Sequence, residues 1–222
     1  MTCLGVILQV CGESGLPHDL LWLSKGAGTR RQSSYIAPSW SWASVRRDVT
    51  WKFDYHETVS HIALLEIACK TKGINPFGQV TKGIIRLTGR VGSRTLSGLR
   101  SIVSWPEGQL KLGSATIVFS VDSFVDCQGL IGKEIHCLRV CTDVFSPRTV
   151  NTTQFQRGLA FRRSAGEEKI YERIGVIEYD SPDYGENFFW IFHQTARSLS
   201  SDQHGKEEEV DVRYAPVATC AV

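Results

Sequence analysis

Hydrophobic and polar residues alternate along most of this chain with a period of two. In residues 49–55, four apolar side chains alternate with Thr50, Lys52 and Asp54, which places the apolar ones on one face of a strand. The pattern recurs, bounded by Gly, Pro, Asn or Asp, in residues 61–69, 83–90, 114–121, 134–141, 170–180 and 187–193. The sequence therefore predicts eight or more strands.

Helical patterns are few. Residues 16–23 form the one candidate helix, because Pro17 suits a first turn and three leucines supply an apolar side. Parallel βαβ crossovers need helices between the strands, so the sheet should be antiparallel. We predict a mainly β fold, a single antiparallel β-barrel or barrel-like sandwich with few short helices.

The length of 222 residues suits one β domain. We expect its parts to follow one another along the chain as an N-terminal segment with the candidate helix (1–34), the sheet (35–195), a mobile polar loop (196–210) and a C-terminal strand (211–222).

Composition and charge exclude several classes of protein. Hydrophobic residues make up 42% of the chain and charged residues 22%, as in globular proteins. The net charge of +2 is spread over scattered Lys and Arg, which argues against nucleic-acid binding. The apolar first ten residues lack a basic start and are far shorter than the ~20 residues of a membrane span. With seven cysteines read as reduced thiols, we expect a cytoplasmic protein without a membrane span.

The segment YIAPSWSWASV contains two tryptophans one residue apart. On a strand, Trp40 and Trp42 would share a face. A turn at residues 45–48 would then set Trp42 opposite Trp51 and Trp40 opposite Phe53. These four rings either pack as core, which we favour, or line a pocket for an apolar small molecule, since barrels of about eight strands hold side chains or one small ligand.

Candidate chemistry is sparse. Cys137 and Cys141 would share a face of a strand, but at ~13 Å apart they are too distant for one zinc ion. His56 and His61 are spaced five residues apart on a strand-like segment, unlike the helical pair of a metalloprotease. The sequence has no P-loop, nucleophile elbow or dinucleotide fingerprint. We therefore predict no metal and no cofactor, and retain His56 and His61 as candidate groups that polarise a ligand.

Four blocks of sequence carry a family resemblance. HDLLWL, APSWSWASV, NPFGQVTKGIIRLTGR and YERIGVIEY occur in this order over about residues 16–192. Together they resemble the C-terminal β-rich region of fungal heterokaryon-incompatibility (HET) proteins. The incompatibility domain that precedes this region in the family is not seen here, and Arg46, Arg47 and Asp48 replace the usual turn after the tryptophans. The resemblance thus implies a fungal β module without the part that executes cell death.

Two functions follow as expectations. The first is a small-molecule-binding β domain, in its specific form a cofactor-free cyclase of pericyclic or rearrangement type in fungal specialised metabolism. Such a site would hold an apolar substrate in a near-reactive shape and donate hydrogen bonds to a carbonyl. The alternative is a non-catalytic protein-recognition module of heterokaryon-incompatibility type, which would bind a protein partner through an exposed sheet edge or loop.

Overall fold

Strands account for most of the described structure. The computed structural model describes residues 20–25, 30–31, 37–46, 48–50, 57–71, 80–101, 106–112, 115–145, 153–164, 170–181 and 208–213. These residues form a 3-10 helix (Trp42–Ser44), an α-helix α1 (Phe124–Gln128) and twelve strands. The strands are β1 (Leu23–Ser24), β2 (Val49–Thr50), β3 (Glu57–Ser60), β4 (Ala63–Thr71), β5 (Val80–Gly89), β6 (Val91–Ser101), β7 (Pro106–Leu112), β8 (Ala115–Val121), β9 (Glu134–Phe145), β10 (Thr153–Arg163), β11 (Ile170–Ser181) and β12 (Glu208–Arg213).

Six of the strands close into an antiparallel barrel in the order β6-β7-β8-β11-β10-β9. The pairing of β9 with β6 and that of β10 with β11 complete the ring. The predicted mainly β, antiparallel barrel is therefore confirmed. Outside the ring, β3 pairs with β9, and β12, β5 and β4 extend the sheet from β11. The β11–β12 pairing is parallel, whereas the other pairings of the named strands are antiparallel.

The barrel wall separates two hydrophobic cores. Side chains from all six ring strands fill the inner core, and Cys127 of α1 joins them at one end. Its fully buried members include Leu96, Leu110, Phe119 and Ile135. The outer core lies between the outside of β9, β10 and β11 and a second layer made of β5 and the N-terminal residues. Alternation along β9–β11 thus supplies apolar side chains to both faces of the wall.

One buried arginine attaches the N-terminal residues to the barrel. Arg173 of β11 is 0% exposed, and its Nε and Nη2 each donate to one carboxylate oxygen of Asp122 at 3.0 Å. The same guanidinium donates to the main-chain oxygens of Leu20 and Trp22. Its Cζ atom lies 3.6 Å from the centre of the Trp22 ring. One side chain therefore binds a carboxylate, two carbonyls and an aromatic face at once.

The tryptophan-rich segment packs against the same place. The main-chain amide of Arg173 donates to Ser39 Oγ at 3.2 Å, and Trp22 Nε1 donates to the carbonyl oxygen of Trp40 at 2.9 Å. The Trp40 ring is 2% exposed and belongs to the outer core. Three of the four sequence blocks, HDLLWL, APSWSWASV and YERIGVIEY, thus contact one another.

A close approach joins the remaining block. Gly83 of β5 lies beneath Pro38, and a Cβ atom at Gly83 would come within 2.1 Å of the Pro38 ring. The strand carries glycine here because the proline occupies the space that a side chain would need.

Several local predictions were wrong. Trp40 lies in a turn and Trp42 begins the 3-10 helix, so the two are not on a strand. Pro38 cannot donate to a ladder, and Ser41 caps the helix by accepting from the amide of Ala43, which favours the turn. Trp51 and Phe53, the expected cross-strand partners, lie outside the described residues.

The segment boundaries also differ in detail. The described part of the candidate helix, residues 20–23, is not helical: it begins in a turn at Leu20 and runs into β1, which starts at Leu23. Strand β12 begins at Glu208, inside the segment expected to be loop. The predicted strand at 187–193 lies outside the described residues, and the division of the chain into four parts stays a prediction. None of the helices in the described part of the chain has the length and apolar character needed to cross a membrane.

Replacing Arg173 with methionine should lower the free energy of unfolding by about 3–5 kcal/mol, because the buried carboxylate of Asp122 would keep only its longer ion pair with Arg31, at 3.8 Å. The double variant Arg173→Met/Asp122→Leu should lose less than the single one, since both charges are gone. The matched control is Arg86→Met, whose pair with Glu66 is partly exposed and should be worth under about 1 kcal/mol. Urea unfolding measures all three, and equal losses for Arg173→Met and Arg86→Met would contradict the role of the buried pair.

The change Gly83→Ala should cost about 1–3 kcal/mol, because its methyl group must displace Pro38. The control is Gly129→Ala, where an added Cβ atom meets nothing within 4 Å and the effect should stay within about 0.5 kcal/mol. Thermal unfolding of both variants measures the two effects. An unchanged unfolding midpoint for Gly83→Ala would contradict the close packing of Pro38 against Gly83.

Candidate binding site at the mouth of the barrel

The inner face of the barrel wall ends in polar side chains. Along β10 the inner face runs from Ala160, in the inner core, through Gly158 to Gln156. On β9, Arg139 pairs with Gly158 and Thr142 pairs with Gln156. These residues follow the end of the inner core opposite to α1. They therefore form one mouth of the barrel.

His61 reaches this mouth from the link between β3 and β4. Its main-chain amide donates to the oxygen of Val140 at 2.8 Å, and its Nε2 lies 2.7 Å from Thr142 Oγ1. The same hydroxyl donates to Gln156 Oε1 at 3.0 Å and accepts from Arg139 Nη2 at 3.3 Å. Three side chains thus converge on one hydroxyl oxygen. Arg90 lies beside Arg139, whose main-chain amide donates to the oxygen of Arg90 at 3.0 Å. We call His61, Arg90, Arg139, Thr142 and Gln156 the mouth cluster.

Positive charge surrounds the imidazole. Burial, followed by repulsion from the nearby guanidinium groups of Arg139 and Arg90, lowers the pKa of His61 from 6.5 to about 4. Arg139 is itself buried, and burial followed by repulsion from Arg90 lowers its pKa. At neutral pH the mouth cluster therefore holds an uncharged imidazole beside two cations. A partly buried histidine with a shifted pKa is typical of a functional site.

A second polar cluster lies on the other face of β9. Asp143 is 0% exposed and pairs with Arg157 Nε at 3.1 Å, and Arg157 Nη2 lies 3.3 Å from Glu178 Oε1. Thr58 of β3 donates to Asp143 Oδ1 at 2.6 Å. Here two carboxylates accompany one guanidinium. This arrangement ties β3, β9, β10 and β11 together, so we assign it a structural role.

The residues expected from the sequence are separated. His61 lies in the mouth cluster, where it contacts Thr142 on the inner face of β9. Trp40 is packed in the outer core, as the favoured alternative had it, and Trp42 is half-buried in the 3-10 helix. Trp51, Phe53 and His56 lie outside the described residues. The described residues therefore do not join Trp40 and His61 into one aromatic pocket.

The cysteines of β9 do not form a pair. Cys137 belongs to the inner core and Cys141 to the outer core, so the expectation that they share a face was wrong. The register shifts between Arg157 and Gly158, which leaves Val140 as an extra residue and reverses the faces. Burial raises the pKa of Cys137 to about 12 and also raises that of Cys141, where the carboxylate of Asp143 adds to the effect. Both are thus inert thiols at neutral pH.

Sequence reasoning missed Arg90, Arg139, Thr142 and Gln156. The available signal was the presence of Arg139 among the apolar residues 137–141 of β9, followed directly by Thr142. In a regular strand these two residues, three positions apart, would lie on opposite faces, and the irregularity at Val140 places them on the same one. Within the described residues, no group of three or more His, Cys, Asp and Glu side chains could hold a metal ion.

Comparisons with known proteins do not assign the chain to a family. No family model, no curated protein and no solved structure matches this chain.

The lowered pKa of His61 should make folding sensitive to acid. The unfolded chain takes up a proton at this residue near pH 6.5 and the folded chain only near pH 4, so the unfolded state binds more protons between these values. The contribution of His61 to the free energy of unfolding should therefore fall as pH drops from 6.5 to 4. Urea unfolding at several pH values should show a shallower dependence for His61→Gln, and parallel curves for both proteins would contradict the shift.

Proposed function

We propose that this domain binds a small anionic organic molecule at the mouth cluster. The observation that carries the proposal is the convergence of Arg139 and an uncharged His61 on Thr142 at the end of a barrel, with Arg90 next to Arg139. Guanidinium groups bind carboxylates and phosphates with paired hydrogen bonds. Barrel mouths are frequent ligand sites. The sequence favoured an apolar ligand, whereas these cations favour an anionic one.

Because side chains fill the inner core, a ligand site is favoured at the mouth of the barrel over one in its middle. Leu96, Leu110 and Phe119 are at most 1% exposed and occupy the interior together with their neighbours. Even barrels of eight strands leave an interior just wide enough for side chains or one small ligand, and this ring has six. A ligand would therefore rest on the end of the inner core and contact the polar side chains above it.

The proposal is one of binding. The cyclase hypothesis depended on a wall of aromatic rings, and Trp40 contributes its ring to the outer core instead. We therefore propose no catalytic step.

We also propose that the chain is related to the C-terminal region of the heterokaryon-incompatibility proteins. Support comes from the contacts among the residues that carry the resemblance. Trp22 and Trp40 are joined by a hydrogen bond, Ser39 binds the amide of Arg173, and Pro38 covers Gly83. Blocks that are far apart in sequence thus act as one packing unit, which would explain their joint occurrence.

A second candidate function is protein recognition through the edge of the sheet. Strand β4 pairs with β5 along one side, and the described residues supply no strand for its other side. Leu65, near the start of this strand at an irregularity of its register, is 51% exposed. Edge strands of this kind can accept a strand from a partner protein.

Binding should follow the charge of the ligand. Benzoate and benzyl alcohol differ in the carboxylate, and calorimetric titration should show binding of benzoate alone. The change Arg139→Gln should weaken binding by about tenfold or more, since hydrogen bonds to charged groups are worth about 1.5–3 kcal/mol. Arg86→Gln, on the outer sheet, serves as the control and should leave the affinity unchanged. Equal affinity for the alcohol, or unchanged binding by Arg139→Gln, would contradict an anion site.

The two candidate functions respond to different changes. Leu65→Lys places a charge on the β4 edge and should leave benzoate binding intact, whereas it should abolish capture of a partner that adds a strand. If Leu65→Lys no longer captures such a partner, and the unmodified protein binds no benzoate, the recognition function is favoured.

A further inference from the structure

The Thr142 hydroxyl fixes the positions of the protons in the mouth cluster. A hydroxyl has one proton to donate and two lone pairs that accept. Its three neighbours are His61 Nε2, Gln156 Oε1 and Arg139 Nη2. A guanidinium group only donates, and an amide oxygen only accepts. The single proton of Thr142 therefore goes to Gln156, and one lone pair accepts from Arg139.

The remaining lone pair must accept from His61. Nε2 of His61 lies 2.7 Å from the hydroxyl oxygen, and that oxygen has no second proton to offer. Nε2 therefore carries the proton of the imidazole. Because the ring is uncharged at neutral pH, Nδ1 carries a lone pair and no proton. Within the described part of the chain, Nδ1 has no hydrogen-bond partner.

We infer that His61 accepts a hydrogen bond from the ligand at Nδ1, so that the ligand is an organic acid that also carries a hydroxyl or N–H group. This inference rests on the proposed function and specifies its ligand class. The carboxylate of such a molecule would face Arg139 and Arg90, while its hydroxyl or N–H donates to the imidazole. A simple carboxylate would leave the lone pair of Nδ1 unsatisfied and would bind more weakly.

In the same arrangement His61 binds the ligand and does not act as a base. Taking a proton from the ligand would create a partly buried imidazolium beside Arg139 and Arg90, which burial opposes and the two cations oppose in addition. The imidazole therefore accepts a hydrogen bond and leaves the proton on the ligand.

The tautomer can be measured without a ligand. Nitrogen NMR of the histidine rings in the full chain at pH 7 distinguishes a protonated from an unprotonated ring nitrogen. We expect His61 to carry its proton on Nε2, and Thr142→Val should give a mixture of tautomers because the fixed acceptor is lost. A proton on Nδ1 in the unmodified protein would overturn the inference. That result would mean that the Gln156 amide is turned around and donates to Thr142.

The ligand class is tested with a matched pair of acids. Calorimetric titration should show that 3-hydroxybenzoate binds about three- to tenfold more tightly than 3-methoxybenzoate, which lacks the proton. In His61→Phe the two acids should bind equally. Equal binding of both acids by the unmodified protein would overturn the inference and leave the anion site intact. If neither acid binds, both the proposed function and the inferred ligand class are wrong. The NMR experiment still determines which ring nitrogen of His61 carries the proton.

Discussion

The pairing of Arg173 with Asp122 is the interaction on which the rest of the structure depends. Both side chains are almost fully buried, so each has lost its hydration. Their attraction offsets that cost only with good geometry and further hydrogen bonds, which the carbonyls of Leu20 and Trp22 supply. Few other arrangements of the chain would give a buried charge in this position the partners that it needs. The pair therefore selects one way of docking the N-terminal residues onto the barrel.

That docking creates the outer core. Leu20, Leu21 and Leu23 pack with Trp40 against the outside of β9, β10 and β11. The inner core consists of side chains from the ring strands and α1. The wall of β9 and β10 is shared by the two cores, and its inner face continues into the mouth cluster. Packing on the outside of the wall thus supports the strands that position Arg139 and Thr142.

The sequence predicted the positions of strands well, but it predicted poorly on which face of a strand a side chain lies. Alternation in residues 61–69 and 83–90 predicted β4 and β5, because a half-buried strand imposes a period of two. It failed at Trp40 and Trp42, where Pro38 and the Ser41 cap favour a turn and a 3-10 helix. The mouth cluster could not be predicted, since one extra residue in β9 exchanges its faces and the contacts join residues 81 positions apart.

The position of β12 has a consequence for the order of folding. This strand lies between β11 and β5, although 119 positions separate Gly89 from its partner Glu208. On a ribosome, β4 and β5 can form their hairpin early, but the second edge of β5 waits until residues 208–213 have been synthesised. Pairings of such long range slow folding, because the intervening chain must first lose its freedom. The hairpin of β4 and β5 would therefore spend much of synthesis with two open edges, a period in which a chaperone could bind.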